Sequence, residues 1–170
     1  MIKVYKDFDK HIKRAMKAHS QYVKTKKDGL RFWDMKTPYL IHPIWCGVTL
    51  LTETKLNDNL RWNGAVALLY HDVLEDTKYK LPRDLNKEVV KYVNEMTLVN
   101  GDKKEKKLFK KNKEIILLKL YDKVSTLLDA VWMKPIQLKE FKKFTRKLLR
   151  IVKREYGELN ITRIAREILK

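Results

Sequence analysis

The chain has 170 residues, of which 44% are hydrophobic, and a formal net charge of +18 at pH 7. This length is enough for one domain with a core, and no apolar run is long enough to span a bilayer. The single cysteine, Cys46, excludes an internal disulfide and a zinc-finger framework. Together with an N-terminus that lacks a secretory signal pattern, it predicts a cytoplasmic protein.

The positive charge of the chain comes mostly from lysine. Lysine supplies 30 of the 39 basic residues, and arginine, the usual choice for bidentate phosphate recognition, supplies nine. A field of this sign attracts polyanions, whether a nucleotide, a nucleic acid or a membrane surface. A lysine-rich solvated surface with no function explains the composition equally well.

The first part of the chain is predicted to form two helices with a loop between them. Apolar residues at helical spacing predict an amphipathic helix from Asp7 to about Lys27, and the following residues to Lys36 read as a turn and an irregular loop. Pro43 is predicted to start the next helix, with His42 in an extended conformation directly before it. Asp58 or Asn59 is then the predicted N-cap of a central helix.

The central stretch begins as an apolar run and ends in His71, Asp72, Glu75 and Asp76. If one continuous helix covers it, the spacing puts these four groups on one side. The acids then crowd a helix C-terminus, where the macrodipole disfavours each negative charge by about 0.3–1 kcal/mol. A bound cation would offset this cost. The alternative is a helix that becomes polar as it reaches the surface.

The remainder of the chain is also predicted to be helical. Asp122 lies within a mostly apolar helix, where a carboxylate is costly unless it is paired or bound to metal. The alternative is an exposed Asp122 beside Lys119 or Lys123. The very basic stretch from Lys103 to Lys113 is either a connector or the start of that helix. No alternating strand pattern or internal repeat is present, so the class is all-α. The predicted helices are 82–96, 114–132, 135–156 and 160–169.

Two histidines and two aspartates, from three separate segments, form the candidate ligand set: His42, His71, Asp72 and Asp122. Mixed imidazole and carboxylate ligands suit Mn²⁺ or Fe²⁺, with Zn²⁺ or Mg²⁺ as alternatives. The Glu75 and Asp76 carboxylates follow one helical turn later and are candidates for activating a water. This chemistry predicts a metal-dependent hydrolase of phosphate esters.

The order His, His-Asp, Asp resembles that of the HD-domain phosphohydrolases. The segments 37–43 (TPYLIHP), 71–77 (HDVLEDT) and 117–124 (LLKLYDKV) are similar to the hydrolase domain of RelA/SpoT proteins and their small stand-alone relatives, including the animal Mesh homologues. The resemblance spans roughly residues 18–128. It implies one HD-type all-α bundle over 1–170, with the helices of 135–169 packed on the motif core. It also implies Mn²⁺ on His42, His71, Asp72 and Asp122, and Glu75 and Asp76 as the acid pair that activates water.

The activity implied by the resemblance is that of a small alarmone hydrolase, which removes pyrophosphate from the 3′ position of guanosine tetra- or pentaphosphate (ppGpp or pppGpp). The family usually has an asparagine where this chain has Thr126. The loop from Asp28 to Lys36 is longer than usual, and its Phe32 and Trp33 are candidates for reaching the nucleobase. The predicted substrate-binding residues are Lys24, Lys26, Lys27, Lys119 and Thr126.

Two other functions are compatible with the sequence. One is an HD-type phosphohydrolase acting on another nucleotide, such as a dNTP, NADPH or a signalling dinucleotide. The longer loop from Asp28 to Lys36 and the presence of Thr126 favour this alternative. The other is a basic nucleic-acid-binding protein with a structural metal site, which the lysine-rich stretch favours although no nucleic-acid-binding motif accompanies it.

Overall fold

The computed structural model describes the backbone of residues 2–97 and 108–170, and the side chains of residues 7–97 and 108–170. Within these ranges, extended pairing is limited to two isolated bridges, Val23–Thr77 and Leu30–Pro38, and the predicted all-α class is confirmed. Of the basic stretch Lys103–Lys113, residues 103–107 lie outside the described residues. The α-helices are α1 Ile2–Gln21, α2 Ile41–Leu51, α3 Asp58–Tyr70, α4 Val73–Asp76, α5 Lys87–Met96, α6 Lys113–Leu128, α7 Pro135–Tyr156 and α8 Asn160–Ile168, with 3₁₀ turns at Lys26–Gly29 and Ala130–Trp132.

Helix α6 lies at the centre of the bundle and contacts α2, α3, α5, α7 and α8. Helix α3 packs across α2 and α6 so closely that every residue from Asn63 to Tyr70 is buried. Gly64 allows this approach, because a Cβ there would lie 2.7 Å from Leu50 Cδ2 and 3.0 Å from Leu118 Cδ2. No helix in the described ranges has the length and apolar character needed to cross a membrane.

A buried carboxylate fixes the last helix to the core. Glu53, just after α2, accepts hydrogen bonds from the Tyr121 hydroxyl (2.7 Å) and from the backbone N–H groups of Asn160 and Ile161 (2.9 Å each). These two N–H groups open α8 and have no partner within that helix. Gly157, with φ of 71°, ends α7 as predicted and turns the chain towards α8.

Several predicted helix boundaries are wrong. Helix α1 ends at Gln21 rather than Lys27, because the chain enters a bridge at Val23 and then a 3₁₀ turn. The helix predicted from residue 82 begins at Lys87, where the Asn86 side chain accepts the Glu88 N–H. The remaining differences are smaller: Asn57 caps α3 in place of Asp58 or Asn59, and α6 ends at Leu128.

The start of α2 also differs from the prediction, and this difference concerns a candidate ligand. Helix α2 begins at Ile41, so His42 lies in the first helical turn and not in an extended segment. Pro43 is the third residue of the helix. The first turn tolerates proline because its N–H groups have no acceptor within the helix.

Candidate metal centre

The chain bends between α3 and α4, and this bend positions His71 and Asp72. Helix α3 ends at Tyr70, and the next turn forms a separate helix whose N-cap is Asp72, so the predicted continuous helix is wrong. Asp72 therefore begins a one-turn helix that Glu75 and Asp76 end, so the acids do not crowd the C-terminus of a long helix, although they remain close to one another. Consecutive residues on a regular helix face different directions. The bend lets both side chains reach one point.

Three of the four candidate ligands converge on that point, and the fourth, Asp122, lies beside them. His42 Nε2 and His71 Nε2 are 3.3 Å apart, and Asp72 Oδ2 lies 2.8 Å from His71 Nε2 and 3.6 Å from His42 Nε2. Asp122 Oδ1 lies 3.6 Å from His42 Nε2 and 3.9 Å from His71 Nε2. Adjacent ligand atoms around a divalent cation with bonds near 2.1 Å are roughly 3 Å apart. The donor atoms of His42, His71 and Asp72, which all lie within 4.8 Å of one another, could therefore hold a single divalent cation, and Asp122 Oδ1 lies just outside that group.

Both histidines are held from the far side of the ring. His71 Nδ1 donates to the Leu68 carbonyl at 2.7 Å, and His42 Nδ1 is hydrogen-bonded to the Ser125 hydroxyl at 2.9 Å. Each contact leaves Nε2 directed at the centre. Metal-binding histidines commonly have such a partner on the other ring nitrogen, because it fixes the tautomer and the ring orientation.

The charge states also suit a cation. Burial, and then the nearby positive charge of His71, lower the pKa of His42 to about 3, so its imidazole is neutral. Burial raises the pKa of Asp122, but Lys119 Nζ at 3.0 Å and Lys123 Nζ at 3.2 Å hold that pKa well below its usual range. The pKa of Asp72 is lowered in the same sense by His71, against the effect of burial. Neutral imidazole and ionised carboxylate are the forms that bind metal, and His42, Asp72 and Asp122 are in those forms. Burial lowers the pKa of His71, but Asp72 and Asp122 raise it above its usual value, so a cation would have to displace a proton there.

Tyr39 supports the centre from the loop side. Its hydroxyl donates to the Asp72 carboxylate. Its ring packs against His19, with centroids 4.9 Å apart, and the Arg31 guanidinium lies 5.3 Å from its centroid. Tyr39 lies within the first motif, and the sequence alone indicates no role for it beyond its spacing of three residues from His42.

The acid pair occupies α4, beside the ligands. The Lys24 ammonium donates to the Glu75 carbonyl, and the Lys24 N–H donates to the Asp76 carbonyl at 3.0 Å. Burial, followed by the negative charges of Asp72, Glu75 and Asp28, raises the pKa of Asp76 to about 7. A carboxyl group with this pKa exchanges its proton readily at neutral pH.

The predicted substrate-binding residues are not all equally close to this centre. Lys24 contacts the acid pair as described, whereas Lys26 and Lys27 are exposed on the 3₁₀ turn. Lys119 is buried against the Asp122 carboxylate rather than exposed beside it. The Thr126 hydroxyl donates to the Asp122 carbonyl at 3.0 Å, which places Thr126 one turn beyond the ligand.

A second, aromatic contact region adjoins Tyr39. Arg31 is buried and forms a two-pronged ion pair with Asp129, at 2.6 and 2.7 Å. The Phe32 and Trp132 rings are both partly exposed, and their centroids are 5.2 Å apart. The loop therefore lies against the segment that follows α6. The sequence indicates Phe32, and it places Arg31 in the loop and Asp129 on the side of Asp122, but it does not predict the Arg31–Asp129 ion pair or the contact with Trp132.

Comparison with known proteins gives a match in structure and none in sequence. No family model matches the chain, and no curated protein matches it by sequence. A solved structure does match, that of a metazoan ortholog of SpoT that hydrolyzes ppGpp and plays a role in starvation responses. The TM-score is 0.71, with 21% sequence identity, over 95% of this chain and 92% of that chain. The two proteins share one fold. The match confirms the helical bundle that the resemblance implies.

Proposed function

We propose that this protein is a divalent-metal-dependent pyrophosphohydrolase that removes the 3′-pyrophosphate of ppGpp. The observation that carries the proposal is the convergence of His42, His71 and Asp72 on one point, with Asp122 beside them and an acid pair one turn away. The fold shared with a protein that hydrolyzes ppGpp supports the choice of substrate. The surplus of basic residues suits a substrate this rich in phosphate.

The four candidate side chains would hold the cation. Mn²⁺ is the ion we propose, and Fe²⁺, Zn²⁺ and Mg²⁺ are the alternatives for this donor set. When bound, such an ion supplies Lewis-acid polarisation of the attacking water and of the phosphoryl oxygens. Lys119 and Lys123 keep Asp122 ionised, so the site carries two carboxylates at neutral pH.

The proposed reaction is attack of water on the phosphorus next to the 3′ oxygen. The water oxygen forms the new bond to phosphorus, the bond from phosphorus to the 3′ oxygen breaks, and GDP and pyrophosphate result. Glu75 and Asp76 are the proton carriers of this step. With a pKa of about 7, Asp76 can accept a proton from water and return one to the 3′ oxygen.

Lysine side chains around the site contribute charge but differ in reach. We propose that Lys24, whose ammonium donates to the Glu75 carbonyl, binds a phosphate near the acid pair. Lys26 and Lys27 are exposed on the neighbouring turn and would attract the outer phosphates. Lys119 is engaged with Asp122, so we assign it to the metal ligand rather than to direct substrate contact.

The aromatic pair favours a second candidate, the same reaction type on another nucleotide such as a dNTP, NADPH or a signalling dinucleotide. Phe32 and Trp132 form a stacking surface joined to the metal centre through Arg31 and Tyr39. Aromatic rings stack on any base, so this surface selects bases weakly. Thr126 replaces the asparagine usual in the family and alters the site one turn beyond Asp122.

Turnover of a nucleotide panel with added Mn²⁺ tests the proposal. The panel contains ppGpp, pppGpp, the dNTPs, NADPH and cyclic dinucleotides, with products resolved by ion-exchange chromatography. Release of GDP and pyrophosphate from ppGpp is the expected result. Preferential turnover of another member would replace the proposed substrate by the second candidate and keep the metal centre.

The role of the aromatic pair has its own test. Phe32→Ala should raise KM for the substrate about tenfold with little change in kcat, because stacking on one ring contributes about 1–3 kcal/mol. Val48→Ala, which removes an exposed apolar side chain from α2, is the control. If Phe32→Ala left KM unchanged, we would conclude that Phe32 does not contact the substrate.

The compartment that we propose is the cytoplasm. The one cysteine supports it, since Cys46 is buried and its thiol lies 3.5 Å from the Tyr121 carbonyl, in the manner of a small apolar core residue.

A further inference from the structure

The exposed side of α7 carries a row of basic side chains far along the chain from the metal ligands. Lys139, Lys143, Lys147, Arg150 and Arg154 follow one another at intervals of three or four residues and so lie on one stripe, which we call the basic face. At a rise of 1.5 Å per residue, the basic face is about 22 Å long. Helix α7 contributes none of the candidate metal ligands.

The charge of this region is unusual within the chain. Residues 135–170 contain eleven basic and four acidic residues, and five of the nine arginines fall between residues 146 and 166. Arginine is scarce in the rest of the chain, and its planar guanidinium group can pair with two phosphate oxygens at once. This concentration is not explained by a general bias towards lysine.

Acidic neighbours neutralise only two members of the basic face, Lys143 and Arg154. Glu140 lies 3.7 Å from Lys143, and Glu155 lies 2.7 Å from Arg154. In the described part of the chain, no carboxylate lies within ion-pair distance of Lys139, Lys147 or Arg150. The middle of the basic face therefore has charge to offer to an external anion.

A groove runs beside the middle of the basic face. It has a volume of about 460 Å³ and is lined by Phe109, Lys147, Arg150, Ile151 and Arg154. Its floor is thus apolar and aromatic, and its rim is cationic. Lys147 Nζ lies 6.0 Å from the centroid of the Phe109 ring, which in turn packs edge-on against Phe144.

We propose that the basic face and its groove bind single-stranded nucleic acid. An aromatic floor with a cationic rim is the combination that such ligands need, because bases stack on the ring while phosphates pair with the rim. When Lys147 moves onto a phosphate, the face of the Phe109 ring becomes available to a base. A duplex would offer phosphates alone, and a lipid surface would not use one recessed ring.

Binding of a labelled oligouridylate tests this proposal on the full chain. The probe is a fluorescein-labelled RNA of about 20 nucleotides, longer than the site of a single small binding module. Its affinity is measured by fluorescence anisotropy over a salt series, together with that of a duplex of equal length. Sedimentation with phosphatidylserine–phosphatidylcholine vesicles is measured in parallel.

The triple variant Lys139→Gln, Lys147→Gln, Arg150→Gln removes the unneutralised charges of the basic face. Loss of three phosphate contacts should reduce the slope of log affinity against log salt by about 2, which corresponds to a roughly 100-fold loss at 0.1 M salt. The matched control is Arg83→Gln, Lys87→Gln, Lys91→Gln, which removes the same charge from exposed positions near α5. The RNA affinity of this control variant should fall less than about threefold, since its charges act on RNA only through the overall field of the protein.

Two single variants complete the design. Phe109→Leu should weaken RNA binding roughly tenfold, because it removes the stacking ring and keeps the apolar floor. Asp72→Ala should bind RNA as the parent does, which separates this surface from the metal centre. Thermal unfolding of each variant confirms that it is folded.

Several results would overturn the proposal. If the two triple variants lost RNA affinity equally, binding would depend on the net charge of the protein and not on the basic face. Loss of RNA binding in Asp72→Ala would place the RNA in the metal centre. Tighter binding of the duplex, or binding to vesicles but not to RNA, would assign the basic face to a different ligand.

Discussion

Acid should destabilise this protein through the buried side chain of His19. Neither ring nitrogen of His19 has a hydrogen-bond partner among the described residues, and its ring packs against Tyr39. Burial lowers the pKa of His19 from 6.5 to about 4, and the opposing effect of Asp72 is smaller. The perturbation is His19→Phe, which keeps an aromatic ring against Tyr39 and removes the titrating group.

The sign and size of this effect of pH on the free energy of unfolding follow from proton linkage. Below pH 6.5 the unfolded chain binds a proton at His19 while the folded protein does not, so stability falls as the pH falls towards 4. The two pKa values correspond to a loss of about 2 kcal/mol between pH 7 and pH 5. The His19→Phe variant lacks this loss, and at pH 7 it should be at least as stable as the parent because two unpartnered nitrogens are gone.

Urea unfolding of both proteins at several values between pH 5 and pH 7.5 measures the effect. A chelator is present throughout, so that competition between protons and metal at His42 or His71 does not contribute. The difference in unfolding free energy between variant and parent should widen by about 2 kcal/mol as the pH drops to 5. Parallel curves for the two proteins would refute the assignment of a neutral, buried His19.

Three further predictions concern the metal centre and the core. Asp72→Ala should lose both bound metal and turnover, and a variant with full metal content by mass spectrometry would contradict the ligand assignment. Glu75→Ala should keep its metal but lose turnover at least about 100-fold, since general-base contributions are of this order. Normal turnover by this variant would indicate that Asp76, and not Glu75, activates the water. Glu53→Ala should lower the unfolding free energy by about 3–5 kcal/mol, because it leaves the Tyr121 hydroxyl and two α8 N–H groups without their acceptor. The exposed Glu140→Ala is the control in urea unfolding. A loss of unfolding free energy in Glu53→Ala no larger than in this control would contradict the prediction.

Local patterns in the sequence were sufficient for most helices and for the candidate ligands. Apolar residues at helical spacing predict α6 and α7 closely, and Pro135 and Gly157 mark the two ends of α7. The bend after Tyr70 was not predicted, because Val73 and Leu74 continue the apolar pattern of α3. The bend aims the His71 and Asp72 side chains at one point.

The contacts that sequence reasoning missed join residues distant in the chain. Arg31 and Asp129 are 98 positions apart, and neither lies in a motif that would indicate the other. Glu53 and Ile161 are 108 positions apart and meet only because α8 folds back onto the end of α2. A single sequence carries no signal for such pairs, whereas the adjacent His71-Asp72 pair is visible directly.

The most direct test of the account is hydrolysis of ppGpp by the metal-loaded protein in water labelled with heavy oxygen. Mass spectrometry of the products reports both turnover and the bond that breaks. Attack of water on the phosphorus next to the 3′ oxygen gives GDP without label and pyrophosphate carrying one labelled oxygen, and Asp72→Ala should show no turnover. A folded, metal-loaded protein that leaves ppGpp intact, or that places the label in GDP, would contradict it.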